Sequence, residues 1–485
     1  MKKTMAKLLP NLPIEKLAKE NDYIGVIEKG DLIKSVLLNN KSEFSEIKIF
    51  SIYGEWGSGK STLMKYLEKE LKGSFNTFFF EAWEYESDKN LANSLLEHLS
   101  KESNSTIEDF LNNGKTLMEG FAKSITLKTP FANFSTKELI KTVEDKENTF
   151  YEIKKRFADD FIKWENQITT KDKSPDYNIV FIDDLDRCEP ESVLNLLSAI
   201  KLFFTFGKKT IFFSGIDKKA VNAAVKNKYG EIIKANEYLE KVFDVSFTMP
   251  QNPDISKLVN FYFDEDYSDN KGKEINLAEK IIDFFKRLHF TNPRRIKKTL
   301  NKYLIIKSLV DSDEKISSKL PNIVTKNHGT LFETYLTFYL LILKEFEPNN
   351  FETVFNLSIK RGNYTEGLKK RYINEVGYNN AYIDLFGSFD ENLFEKQIKD
   401  FPKDNNKKIR TDFLYAYFSP VNVNHIEQYA FLTKDYFIEG FNVFDKKIEY
   451  HFMIFLFDEI DMLFSDFKEI AFSLKDYKEM ISNLI

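Results

Sequence analysis

The amino-acid sequence predicts an α/β fold. It combines a core built on a mostly parallel sheet, a helical insertion within that core, and a helical C-terminal region. Three observations predict it. Five short apolar runs alternate with helical patterns between residues 47 and 250, the rhythm of strands joined by crossover helices. A glycine-rich stretch, GEWGSGKST from Gly54 to Thr62, separates one such run from a helical pattern. The chain holds only 18 glycines and 12 prolines in 485 residues, which suits compact loops and many helices.

The elements follow in order. Residues 1–46 read as a lead-in with helical pieces. Residues 47–250 form the core, opening with the strand IKIFSIY. Leu63, Leu67 and Leu71 repeat at i+4 on the helix behind the glycine stretch, and the run NTFFFEAW follows as a second strand. Residues 87–172 are polar and helical, an insertion. Within it Phe150, Ile153, Phe157, Phe161, Trp164 and Ile168 make one apolar face, either core or a dimer seam. Three more strands are NIVFIDD, KTIFFSGID and VFDVSFTMP. Residues 251–310 read as a helical lid-like segment and 311–485 as a helical domain.

At 485 residues the chain is too long for one ordinary core, so more than one domain is expected. A net charge of −5 selects no polyanionic partner. One cysteine excludes a disulfide framework and fits a reducing cytoplasm. The N-terminus lacks the apolar run of a signal peptide, and LTFYLLIL, between tight charged flanks, is too short to span a bilayer. A cytoplasmic protein without membrane insertion is expected. Five scattered histidines offer no metal spacing, and no CxxC or Gly-x-Ser-x-Gly elbow occurs.

Gly54-x-x-x-x-Gly59-Lys60-Ser61 is a phosphate-binding loop. Gly54, Gly57 and Gly59 let the backbone curl so that successive N–H groups, those of Ser58 and Thr62 included, face one anion. The following helix adds its positive dipole end. Lys60 reaches the outer phosphates, and the Ser61 hydroxyl takes one magnesium position. The magnesium partner is expected at the end of NIVFIDD, where ligands collect at strand carboxyl ends. Asp183 is the metal ligand, and Asp184 polarises the attacking water. Asp184 is one methylene shorter than the glutamate usual there, so Glu81 and Glu84 are runner-up bases. Capping of the next helix by Asp184 and Asp186 is the competing reading. Ser214, placed at the end of KTIFFS, is either a γ-phosphate sensor or a turn residue.

These strings, GEWGSGKST, FFFEAWEYE, IVFIDDLDRCEPESVLNLLSAIKLFF, TIFFSGIDKKAV and TNPRRIKKTLNKY, resemble the KAP family of P-loop NTPases over roughly residues 20–310. DDLDRC is the most specific piece. The resemblance implies an ATPase with an additional strand between the phosphate loop and the magnesium strand, and an insertion that matches 87–172. Many members carry transmembrane helices in that insertion; this sequence does not. Some prokaryotic members are associated with phage exclusion, which implies antiviral defence as a setting. Arg187, in the LDRC match, neutralises transition-state charge in cis or in trans, or pairs with Asp186 or Glu189. Cys188 reads as packing.

Lys286 to Lys307 carries eight Lys or Arg residues and no acid. The resemblance implies that Arg294 or Arg295 reaches the γ-phosphate. A nucleic-acid patch and a solvated helix face are the alternatives. No string similar to the guanine-reading motif of GTPases occurs, which favours ATP. The expectation is therefore a magnesium-dependent ATP-hydrolysing switch acting on a protein partner or a second copy of itself. Its rivals are a nucleic-acid-stimulated ATPase or clamp, an ATP-binding scaffold with little turnover, and a small-molecule kinase.

Overall fold

The computed structural model describes residues 8–88, 90–103, 108–125, 150–169, 174–230, 235–312, 320–354, 447–459, 462–463 and 474–485. The chain divides into two compact units, Leu12–Asp254 and a second that joins Met1–Asn11 to Ile255–Ile485.

The first unit is built on five strands: β1 (Ile49–Tyr53), β2 (Asn76–Glu81), β3 (Asn178–Asp183), β4 (Thr210–Ile216) and β5 (Val245–Thr248). Their order is β2-β3-β4-β1-β5, and every pairing is parallel. β4 lies between β1 and β3, so a strand does separate the glycine loop from the magnesium strand. The central strands β1, β3 and β4 are buried along their whole length. Continuous runs such as NIVFID read that way because helices cover both faces of a parallel sheet. The edge strands are more accessible: β2 buries only Phe78 and Phe80, and β5 alternates half-buried with exposed positions.

Alternation divides the sheet residues between two cores. Phe50, Ile52, Ile179, Phe181, Ile211 and Phe213 pack with Leu63, Leu67 and Leu71 of α2 (Lys60–Leu71) and with Ile33 and Leu37 of α1 (Val26–Asn39). Ile49, Tyr53, Val180, Ile182, Phe212 and Ile216 face the other way. There they meet helices Leu91–Glu102, Glu108–Ile125 and Phe150–Thr169 of the insertion. Phe157, Phe161 and Trp164 are fully buried, and the Trp164 ring stacks on Phe110 at 5.4 Å. Its indole N–H donates to Ser103 Oγ at 3.0 Å, which satisfies the polar edge. The apolar face of helix Phe150–Thr169 is thus core of this unit. Each such side chain contributes about 1.5–3 kcal/mol by leaving water. Next to Trp164, the buried Glu165 accepts the backbone N–H groups of Lys208 and Lys209 and the Thr210 hydroxyl. That carboxylate ties the insertion to the start of β4.

In the second unit, helix Leu331–Phe346 is buried at every position from Leu331 to Leu343. Its Phe338 stacks on Tyr303 at 4.2 Å and its Tyr339 on Phe452 at 3.9 Å. LTFYLLIL is therefore a core segment of a helical unit. Among the described residues no helix is long and apolar enough to cross a membrane. Much of the expected 311–485 helical region lies outside the described residues.

Candidate nucleotide site

The glycine stretch connects the end of β1 to the start of α2. Gly57 and Gly59 have φ values of 85° and 102°, and Gly59 is the residue just before α2. A side chain at Gly59 would be strained at that φ. At Gly54 a Cβ would lie 2.9 Å from Met249 Cγ. The loop is thus bare backbone at the N-terminus of a helix, a bed for an anion. Ser58 closes its turn by donating its N–H to Glu55 O at 3.0 Å, and its buried hydroxyl has no partner among the described residues. Thr62 Oγ1 accepts from Ile14 N at 3.3 Å and keeps its own proton to donate.

Lys60 is only 6% exposed. Its ammonium donates to Gly54 O at 2.9 Å and Glu55 O at 3.2 Å and lies 3.9 Å from Asp186 Oδ2. Asp183 ends β3, and the Ser61 hydroxyl stands close enough to its carboxylate to favour the charged form. Burial pushes the Asp183 carboxyl above the ordinary range; the Ser61 hydroxyl, the Asp184 amide and Lys60 work against that. Two hard oxygens side by side, with one buried carboxylate that a cation would relieve, fit magnesium. That ion takes few protein ligands and fills its other positions with phosphate and water. Ser61 and Asp183 would hold it.

Asp184 adopts a left-handed conformation, φ 57°, and makes no side-chain capping bond. The capping reading of Asp184 is therefore not what the backbone uses. Burial, and next the Asp183 charge, push its carboxyl up to about 6, against the pull of Arg187. Arg187 Nε lies 3.3 Å from Asp184 Oδ1, and its guanidinium stacks on the exposed Trp83 ring at 4.9 Å. The alternative reading paired Arg187 with Asp186 or Glu189; its acidic partner is instead Asp184. Glu81 is the register partner of Asp183 on β2, and Lys65 of α2 holds it at 3.1 Å. Glu84 is exposed. Cys188 is buried, and burial pushes its thiol up to about 12, which fits packing.

Ser214 requires a correction. β4 does not end there; Gly215 and Ile216 continue the pairing with Ile52 and Tyr53 of β1. Gly215 shares the face of Asp183, whose Oδ1 would lie 3.1 Å from a Cβ at that position. Ser214 consequently points to the opposite face, fully buried, and its hydroxyl has no partner among the described residues. The residue that meets the loop from this strand is Asp217, which accepts Trp56 N at 3.0 Å and caps the next helix through Lys219 N at 2.9 Å. An acid just beyond a strand's carboxyl end, ahead of KKAV, was the available signal.

Arg294 and Arg295 belong to the second unit, in the first turn of helix Pro293–Val310, where Asn292 accepts from Arg295 N. The basic run is largely engaged within that unit. Lys298 and Lys302 pair with Glu345, Arg287 pairs with Asp458 and Glu459, and Lys297 donates to Pro10 O. Arg295 lies over the Phe346 ring at 5.4 Å.

The sheet order, the bare loop and the Ser61–Asp183 pair define a P-loop nucleotide-binding protein. The KAP family P-loop domain matches residues 32–310, more than half of the chain, and the protein belongs to that family. It is similar to two uncharacterized proteins of Methanocaldococcus jannaschii. One is 37% identical over 114 residues, 22% of this chain and 44% of the relative; the other is 29% identical over 173 residues, 28% of this chain and 88% of the relative. The chain thus spans under half the length of the first relative. Among solved structures, a Walker-type ATPase of Pyrococcus abyssi is 14% identical with a TM-score of 0.30, covering 80% of this chain and 91% of that one. The ORC2 protein of Aeropyrum pernix is 10% identical with a TM-score of 0.32, covering 94% and 98%. Neither likeness bears on what this chain does.

Proposed function

We propose that the protein binds ATP with magnesium on Gly54–Thr62, hydrolyses it, and acts as a nucleotide-dependent switch. One observation carries the reading: the Asp183 carboxylate meets the Ser61 hydroxyl directly beside a loop of bare backbone. In this mechanism the loop N–H groups and Lys60 hold the phosphates, and Lys60 moves from the Gly54 and Glu55 carbonyls to the outer phosphate. Magnesium on Ser61 and Asp183 supplies charge neutralisation when bound. Asp184 accepts a hydrogen bond from the attacking water and orients it, and Arg187 holds Asp184 in place. Glu81, paired with Lys65, is the runner-up base.

Phosphate release from ATP by wild type, Asp184→Asn and Glu81→Gln tests this, with DNA absent and present. Loss of turnover with retained ATP binding in Asp184→Asn supports the assignment. Loss in Glu81→Gln alone transfers the role to Glu81, and strong DNA stimulation favours the nucleic-acid rival. A switch further requires that hydrogen exchange differ between the ATP-bound and ADP-bound protein, and that a protein partner or a second copy sense the difference. Phage defence, the setting that the resemblance implies, is tested by plaque counts on cells carrying wild type or Lys60→Ala.

A further inference from the structure

We infer that Ile24, backed by Val26 and Met249, forms the wall on which the nucleoside part of a bound nucleoside triphosphate rests. The inference rests on the reading that Gly54–Thr62 holds a triphosphate, and it assigns the other end of the same ligand. The acids that mark the outer-phosphate end, Asp183, Asp184 and Asp186, follow β3. In the sheet, β3 and β4 lie to one side of β1, and β5 lies to the other. Met249 comes directly after β5, and its N–H donates to Tyr53 O at 2.7 Å. The acids and Met249 therefore flank opposite sides of the strand from which the loop springs. A triphosphate with its outer phosphate toward the acids directs its sugar and base toward Met249.

The chain has built an apolar surface at that place. A Cβ on Gly59 would lie 3.0 Å from Ile24 Cδ1, 3.4 Å from Met249 Cε and 3.8 Å from Val26 Cγ2. Val26 and Met249 are buried, while Ile24 keeps accessible surface. Ile24 is held in position: the buried Asp22 carboxylate accepts Val26 N at 2.8 Å and Ile27 N at 3.0 Å across the turn. The bond from Ile14 N to Thr62 Oγ1 fastens the same segment to the first turn of α2. These three side chains carry no charge and no polar hydrogen. They offer van der Waals contact to a ring and a ribose and nothing to a phosphate. The chemistry recognised is the flat apolar face of a nucleoside, adenine and guanine alike.

The test is equilibrium titration of the full chain with magnesium and ATP, GTP or inorganic tripolyphosphate, for wild type, Ile24→Ala and Ile24→Val. We expect Ile24→Ala to weaken ATP and GTP about tenfold through lost apolar contact, and to leave tripolyphosphate unchanged. Ile24→Val gives a smaller loss of the same kind, and serves if the alanine variant does not fold. An equal loss for ATP and tripolyphosphate overturns the inference, because Ile24 would then act on loop geometry. No loss for ATP overturns it too. If wild type binds tripolyphosphate and neither nucleotide more tightly, the wall is wrong and the loop reading stands. If wild type binds none of the three, both fail.

Discussion

The carboxylate of Asp217 accepts the backbone N–H of Trp56 at 3.0 Å, joining positions 161 residues apart. This bond fixes the tip of the phosphate loop to the end of the neighbouring strand β4. Its other oxygen caps the helix that begins at Lys218. Asp217→Ala removes both bonds. Loss of the cap costs about 1 kcal/mol of stability. Freeing the loop weakens nucleotide binding by roughly tenfold, since binding must then order it. Asp217→Asn keeps an oxygen acceptor and loses less. Thermal unfolding with a parallel ATP titration separates the two effects; a variant that binds ATP like wild type shows that the loop is held without Asp217.

Arg187 lies between an acid and an exposed indole, Asp184 on one side and Trp83 on the other. Arg187→Ala slows turnover roughly 100-fold by leaving Asp184 unheld, while ATP affinity stays within about threefold. Arg187→Lys restores only part, because an ammonium lacks the planar face that stacks on Trp83. Steady-state and binding measurements on the same preparations decide. An affinity loss as large as the rate loss shows that Arg187 contacts the ground-state ligand instead.

Glu165 is buried with two backbone N–H groups and a hydroxyl directed at it. Glu165→Leu orphans all three donors at the start of β4. Denaturant unfolding is expected to show a loss of about 3 kcal/mol. A loss under about 1 kcal/mol indicates that water replaces the carboxylate.

Burial lowers the affinity of His98 for its proton. The unfolded chain, with an ordinary imidazole, then binds more protons than the folded one just below about pH 6.5. Stability from this residue is present above that pH and is lost as pH falls through the unfolded value toward the folded one. His98→Phe, which keeps a ring beside Phe80, removes this part of the acid slope. Unfolding free energies of both proteins across that window check it; identical slopes assign the acid sensitivity elsewhere.

Much of the core was legible because its signals are local. NIVFID announces a doubly covered strand, and three glycines in six positions announce a backbone with special φ. The misplacement of Ser214 has a long-range cause. A glycine after a strand reads as a turn, yet pairing with Ile52 carries β4 on to Ile216. The partner of Arg187 was likewise illegible, since the left-handed turn at Asp184 brings the two together and no spacing rule encodes that turn. Lys298 and Lys302 looked like an open basic face because their acid, Glu345, stands more than 40 residues away in sequence. Nothing in the lead-in's composition placed Ile24 beside Gly59.

The most direct test of the central claim is phosphate release from ATP by purified wild type and Lys60→Ala, each with magnesium and with EDTA. The account predicts turnover by wild type with magnesium only, and none by Lys60→Ala under either condition. Release that persists in Lys60→Ala at the wild-type rate, or that ignores the removal of magnesium, would contradict it.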